Sequence, residues 1–292
     1  MSGYTHIRHS GSDGAALYAR HYAGGGLTPL LCLPGLTLNS KSFEPLMPYV
    51  SGPRAIIAPD FRGRGLSAYT DPNTYRPGFE LADTIALMDH LRIEKAAVLG
   101  TSRGGIVGMV MAAQNRDRIA GLLLNDVGPK LEAAGLLRIR SYLGRPAEFP
   151  SWEAAAAALM AVNPDQEGLT FDDWMAMARR IFRDANGLPK EDYDLRLSQG
   201  FPSEEDIAAG RVAEIWDVFK AGAGLPLSVL RGGNSDLLSG ATVARMGEMV
   251  PDLDSTVIPG RGHVPLLDEP QSLAAIKRWL DRVDVVSGAA GT

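Results

Sequence analysis

The sequence predicts an α/β fold in which a mostly parallel sheet is flanked by helices and a helical segment is inserted late in the chain. Short apolar runs rich in Leu, Ile and Val, bounded by Gly, Pro or Asp, recur along it like strands buried on both faces. Amphipathic helical stretches lie between several of these runs, the alternation expected of a parallel sheet. That alternation breaks over residues 129–224, where helix candidates follow one another with no convincing strand.

Taken in chain order, residues 4–9 and 15–21 alternate apolar with polar and suit an antiparallel edge hairpin. Strand candidates follow at 30–33, 55–58, 96–99, 121–124, 227–230 and 256–258, with amphipathic helices over 79–91, 105–115 and 272–283. Inside the interruption, helices are expected at 130–143, 151–162, 171–183 and 204–219. Ser151 and Ser203 stand at N-cap positions, with acidic residues in the turn that follows. The implied organisation is a core of residues 1–128 and 225–292 and a helical cap of residues 129–224. The small, polar tail 287–292 is expected to fray.

A chain of 292 residues is within the range of a single α/β domain, and 45% hydrophobic with 22% charged residues is ordinary globular composition. Disordered, collagen-like and coiled-coil classes are excluded. The net charge is -5 and the basic residues are scattered, so nothing suggests nucleic-acid binding. The single cysteine, Cys32, has no partner for an intramolecular disulfide and sits in an apolar run, which suits a core residue in a reducing cytoplasm. Residues 1–10 lack the apolar region of a signal peptide. Apolar stretches such as 106–113 and 154–162 fall short of the roughly 20 residues of a membrane span. A soluble, cytoplasmic protein of unknown oligomeric state is expected, acting on a small molecule and not on a membrane.

The sharpest chemical signal is Gly100-Thr101-Ser102-Arg103-Gly104, placed between an apolar strand and a helical run. Glycines two before and two after a serine allow the tight strand-to-helix turn that exposes its Oγ at the carboxyl edge of a sheet. A serine hydroxyl is a weak nucleophile and needs a base, oriented in turn by an acid. Of five histidines only His263 follows Ser102, in a Gly- and Pro-rich loop after the last strand candidate. Two acids stand near strand ends. Asp236 lies beyond the cap and shortly before His263 and is the preferred orienting acid; Asp126 is the alternative, otherwise read as a turn or capping residue before Pro129. For the developing oxyanion, the N–H groups of Arg103 and of Leu36 are the candidate donors. No spacing resembles a metal site or a phosphate-binding loop, so neither metal nor cofactor is expected.

With these residues in place, the chain resembles the α/β-hydrolase-fold serine hydrolases over nearly its whole length. Residues 60–67, Asp60-Phe61-Arg62-Gly63-Arg64-Gly65-Leu66-Ser67, resemble a family loop that is mostly architectural, which implies structural roles for Asp60 and Arg62. Pro34 stands where many members carry His. The resemblance implies about eight mostly parallel strands with the cap over the active site, but it does not fix the substrate; the leading reading is an esterase or lactonase working through Ser102, His263 and Asp236. A carbon–carbon bond hydrolase with the same triad, or a low-turnover ligand receptor, are the alternatives. Epoxide hydrolases and haloalkane dehalogenases of this fold carry Asp at the nucleophile, which Ser102 argues against. Trp152, Trp174, Trp216, Phe171, Phe182, Met160, Met175, Met177, Arg138, Arg140, Arg179 and Arg180 could line a pocket, but packing within the cap for the apolar residues and solvated helix faces for the arginines are the preferred readings, so none is taken as a site residue.

Overall fold

The structure, a computed structural model, describes residues 3–289. Strand β1 (Thr5–Ser10) pairs antiparallel with β2 (Ala16–Leu33), as the alternating N-terminal segments suggested. The second strand is far longer than expected, because it continues into the apolar run 30–33. Its pairing with β3 (Arg54–Asp60) explains how. Tyr18 to Tyr22 lie opposite Asp60 to Ile56, running antiparallel; Gly26 and Leu27 both face Arg54; then Leu30 and Leu31 face Ile56 and Ile57, advancing together. The strand passes round the end of β3 and flanks it on both sides. Glycine is required at this crossing, since a Cβ on Gly24 would lie 1.9 Å from the carbonyl oxygen of Arg54. Seven strands thereby fill the positions of about eight, and the sheet runs β1-β2-β4-β5-β8-β9 with β3 against β2.

Helices α1 (Met47–Val50) and α2 (Pro77–His90) lead to β4 (Ala96–Thr101), α3 (Arg103–Gln114) and β5 (Ile119–Asn125). Every residue of β4 and β5 is buried. Side chains alternate between two cores: Leu31, Leu33, Val98, Leu122 and Leu124 pack on one face, and Leu30, Cys32, Ala97, Leu99 and Leu123 on the other. A strand covered on both faces has no polar side, which is why these segments read as unbroken apolar runs.

The stretch 129–224 supplies α4 (Ala133–Tyr142), α5 (Trp152–Val162) and α6 (Phe171–Ile181) near the expected places. Ser151 accepts from the Ala154 N–H, and Thr170 forms a reciprocal capping box with Asp173. Two expectations fail here. The stretch is not strand-free: β6 (Phe182–Ala185) and β7 (Leu188–Glu191) form a hairpin closed by Asn186 and Gly187, both at positive φ, the Asn-Gly pair that a two-residue turn demands. Nor is 204–219 one helix. The segment splits into α7 (Glu204–Ala208), capped by Ser203, and α8 (Trp216–Lys220). Gly210 turns to φ +65 after α7, Arg211 folds back onto Glu205 and Asp206, and the Ile215 N–H is taken by the carbonyl of Pro129.

The chain then returns to the sheet through β8 (Leu227–Gly232), α9 (Gly240–Met249), β9 (Asp254–Ile258) and α10 (Pro270–Val286). The pairings β2–β4, β4–β5, β5–β8 and β8–β9 are parallel, so β4, β5, β8 and β9 deliver their following loops to one edge. Ser287 caps α10, while residues 290–292 of the expected frayed tail lie outside the described residues. Among the described residues no helix is long and apolar enough to cross a membrane.

Candidate active site

Ser102 sits alone between β4 and α3 at φ 49 and ψ −111. The turn closes only because its flanks are glycine: a Cβ on Gly104 would lie 2.0 Å from the carbonyl oxygen of Leu33, and one on Gly100 2.5 Å from Gly104. The Ser102 carbonyl accepts from Gly105 and Ile106 and so starts the helix, while its side chain caps no N–H. That leaves Oγ free for other chemistry. His263 Nε2 lies 3.0 Å from it.

The other ring nitrogen, His263 Nδ1, lies 2.7 Å from Asp126 Oδ2. An ionised carboxylate can only accept, so Nδ1 carries the proton and Nε2 presents its lone pair to Ser102. Asp126 is fully buried and the His263 side chain is 8% exposed. Asp126 Oδ1 accepts from the Gly232 N–H at 2.8 Å, and Oδ2 also accepts from Ser235 Oγ at 2.6 Å. With all its bonds made, the carboxylate is held in one orientation. The arrangement can pass the Ser102 hydroxyl proton to His263 while Asp126 fixes the ring.

Asp236, the acid preferred from the sequence, is not at this position. Both its oxygens bind Arg138 of α4, at 2.6 and 2.8 Å, and its carbonyl accepts from the Gly135 N–H. Its strand β8 ends at Gly232, and the backbone turns at once, Ser235 N–H to Gly232 carbonyl, which presents Asp236 to α4. The signal that places Asp126, and not Asp236, beside Ser102 is register. Thr101 pairs with Asn125 across β4 and β5, so Ser102 and Asp126 are the next residues on neighbouring parallel strands, and both have positive φ.

Leu36 lies in the loop after β2, in the cavity wall beside Ser102. Arg103 opens α3, so its N–H is among the free donors of a helix start. A buried ion network that sequence reasoning did not reveal ties these two residues together. Arg64 Nε donates to the Leu36 carbonyl at 2.8 Å, and Arg103 Nε donates to Glu80 Oε2 at 2.6 Å. Glu80 and Arg64 are fully buried, with Arg64 Nη2 2.9 Å from Glu80 Oε1, a contact of charge without hydrogen-bond alignment. Burial pushes the Glu80 carboxyl up, but the charges of Arg103 and Arg64 outweigh it and hold it below its ordinary value. Burial pushes Arg64 down to about 10, with Glu80 opposing. A glutamate in the first turn of an amphipathic helix reads as solvated; only the packing shows otherwise. The loop at 60–67 is architectural as the resemblance implied, with Asp60 accepting from the Ser40 and Leu66 N–H groups and Arg62 bound to Asp83 and Asp13.

Ser102 and His263 open onto a cavity of about 320 Å³, walled largely by apolar side chains from the core and from 129–224. Of the side chains named from sequence, Met177, Phe182, Arg138 and Arg180 reach it, whereas Trp152 and Trp174 pack behind the wall in a buried cluster that Phe182 and Met177 share. Gln166 also lines the cavity; its Nε2 donates to the Val264 carbonyl, beside His263, and its buried Oε1 has no partner. Among the described residues no group of three His, Cys, Asp or Glu could hold a metal ion.

Comparison with known proteins agrees with this architecture. The Alpha/beta hydrolase family matches over residues 30–276. The 3-hydroxybutyrate-oligomer hydrolase of Cupriavidus necator is 34% identical over 252 residues, covering 84% of this chain and 85% of that protein. The 2-(acetamidomethylene)succinate hydrolase of Mesorhizobium japonicum is 29% identical over 255 residues, covering 86% and 87%. Among solved structures, an alpha/beta hydrolase from Novosphingobium aromaticivorans superimposes with a TM-score of 0.89 at 39% identity, covering 97% of this chain and 99% of that one. With the sheet, the strand–turn–helix at Ser102 and this similarity in hand, the chain belongs to the alpha/beta hydrolase family.

Proposed function

We propose that the protein is a serine hydrolase that cleaves carboxylic esters or lactones of small size through an acyl-enzyme. The observation that carries this reading is the unbroken chain from Ser102 Oγ to His263 to Asp126, at 3.0 and 2.7 Å, at the floor of an apolar cavity. Ser102 attacks the carbonyl as His263 takes its proton. Asp126 stabilises the imidazolium that results. His263 then protonates the leaving alcohol, activates a water on the acyl-enzyme, and the acid departs.

The oxyanion of each tetrahedral intermediate falls to the N–H groups of Leu36 and Arg103. The Arg64–Glu80–Arg103 network supports both: one guanidinium holds the Leu36 peptide by its carbonyl, the other belongs to the second donor residue, and Glu80 joins them. Two cations around one anion leave net positive charge behind the forming oxyanion. Residues 129–224 act as a cap that supplies the far wall of the cavity and excludes water. A cytoplasmic location belongs to the same reading, with Cys32 a buried free thiol.

The oligomer hydrolase of C. necator supports an ester as substrate, since oligomers of a hydroxy acid are joined by ester bonds. One observation also fits cleavage of a carbon–carbon bond in an acidic dienone: arginines of the cap stand in the cavity wall. Initial rates on p-nitrophenyl esters from acetate to octanoate, with folded Ser102→Ala alongside, separate the two. Ester turnover that falls by about 10⁴-fold or more in Ser102→Ala is the expected result. Equal turnover in the folded variant, or none on any ester in the wild type, overturns the reading.

A further inference from the structure

Three guanidinium groups line the cavity, those of Arg138, Arg145 and Arg180, against one carboxylate, that of Glu191. Their commitments differ. Arg138 is bound through two nitrogens to Asp236, and Glu191 accepts from the Ala147 N–H. Arg145 is exposed at the rim. Arg180, on the last turn of α6, is partly buried and takes part in no hydrogen bond or ion pair among the described residues. Its neighbour Arg179 shows the contrast, with its guanidinium 3.8 Å from the Trp152 ring centroid.

The acids that face Arg180 are spoken for or out of reach. Burial lowers its affinity for the proton, and Glu44, Asp268 and Asp173 oppose that only from beyond ion-pairing distance. Glu44 is paired with Arg20 at 2.6 Å, and Asp173 closes the capping box at Thr170. The cavity that Arg180 lines is walled largely by apolar side chains, among them Met177, Ile181, Phe182, Leu266 and Leu267. A guanidinium in such a wall is desolvated at a cost that a bound anion offsets. Its planar fork matches a carboxylate through two parallel hydrogen bonds.

We propose that Arg180 receives a carboxylate of the substrate, so that the enzyme prefers esters bearing a free acid group away from the scissile bond. This rests on the ester-hydrolase reading above and narrows its substrate class to acidic esters. Arg180 is then a specificity-determining residue: it touches the substrate, and it takes no part in bond breaking.

The test compares each monomethyl ester of a dicarboxylic acid, from malonate to adipate, with the neutral methyl ester of matching chain length. Both are followed by acid release in the wild type, Arg180→Gln, Arg180→Lys and Arg145→Gln. The expected result is a kcat/KM ratio of acidic to neutral ester of about 10 or more for at least one length in the wild type, collapsing toward unity in Arg180→Gln. Arg180→Lys, which keeps the charge and loses the fork, falls between. Circular dichroism confirms that each variant is folded. The proposal is overturned if no acidic ester is preferred, if the ratio survives Arg180→Gln, which would assign Arg180 to Asp268, or if Arg145→Gln alone abolishes it. In each of these outcomes, Ser102-dependent hydrolysis of the neutral esters leaves the ester-hydrolase reading standing.

Discussion

Two aspartates leave neighbouring strands of the same sheet and do different work. Asp126 follows β5 directly, is fully buried, and gives its oxygens to Gly232, Ser235 and His263. Asp236 lies four residues beyond β8, keeps 26% of its side chain exposed, and holds Arg138. The first belongs to the carboxyl edge of the sheet, the second to the seam between the sheet and the stretch 129–224. The loop that carries Asp236 still serves the site, because its Ser235 grips Asp126. Nearness to His263 along the chain therefore does not assign a role; the direction of the first turn after the strand does.

The largest effect that separates the two acids is on turnover. Asp126→Asn removes the charge that stabilises imidazolium and lets the amide donate where Asp126 only accepts, which favours the wrong histidine tautomer. A fall in kcat of about 10³- to 10⁴-fold is expected, with KM little changed. Asp236→Asn is expected to stay within about threefold of wild type, because its carboxylate binds Arg138 and makes no hydrogen bond to His263 or Ser102. The reverse pattern, measured on the same p-nitrophenyl esters, would return the orienting role to Asp236.

Much of this was legible in the sequence, unevenly so. Buried strands announce themselves by apolar runs, and Ser102 by the glycines its turn cannot do without. His263 emerged by elimination. The preference for Asp236 came from counting residues along the chain, whereas the register of β4 against β5 sets Asp126 beside Ser102. The Asn186-Gly187 turn is also written in the sequence, but the two four-residue strands it joins are too short to show an alternating pattern among the helical stretches around them. Other features needed three dimensions: nothing local marks Glu80 as buried between two arginines, and nothing along the chain shows that β2 passes both sides of β3.

Glu80 extends the contrast to a second buried acid. Glu80→Gln leaves Arg64 and Arg103 unneutralised in the interior, and a stability loss of about 3 kcal/mol or more is expected. Its folded pKa is held below the unfolded value, so the stability it contributes is present above the ordinary glutamate range. That stability is lost as pH falls through the folded value. Thermal melts of wild type and variant should therefore converge toward acid pH. For molecules still folded at low temperature, kcat should fall by about 10-fold or more through displacement of the oxyanion donors proposed at Leu36 and Arg103. A destabilised variant with full kcat per folded molecule would confine Glu80 to the fold.

The smallest effect belongs to the seam. Burial raises the Asp236 carboxyl, but the hydrogen bonds and charge of Arg138 outweigh it and leave the folded pKa below the unfolded one. The pair thus stabilises the protein above the ordinary aspartate range and ceases to do so as pH drops below it. With 20% and 26% of the two side chains exposed, solvent screening limits its worth to about 1 kcal/mol or less. Asp236→Asn should lower Tm by about 2–4 °C at neutral pH at most. At pH values below the ordinary aspartate range the difference should shrink toward zero as the wild-type carboxylate is protonated. High salt at neutral pH should narrow the gap in the same direction. A Tm difference that persisted at acid pH and in salt would mean that Asp236 acts through shape and neutral hydrogen bonds, for instance the Gly135 contact to its carbonyl, and not through the charge it shares with Arg138.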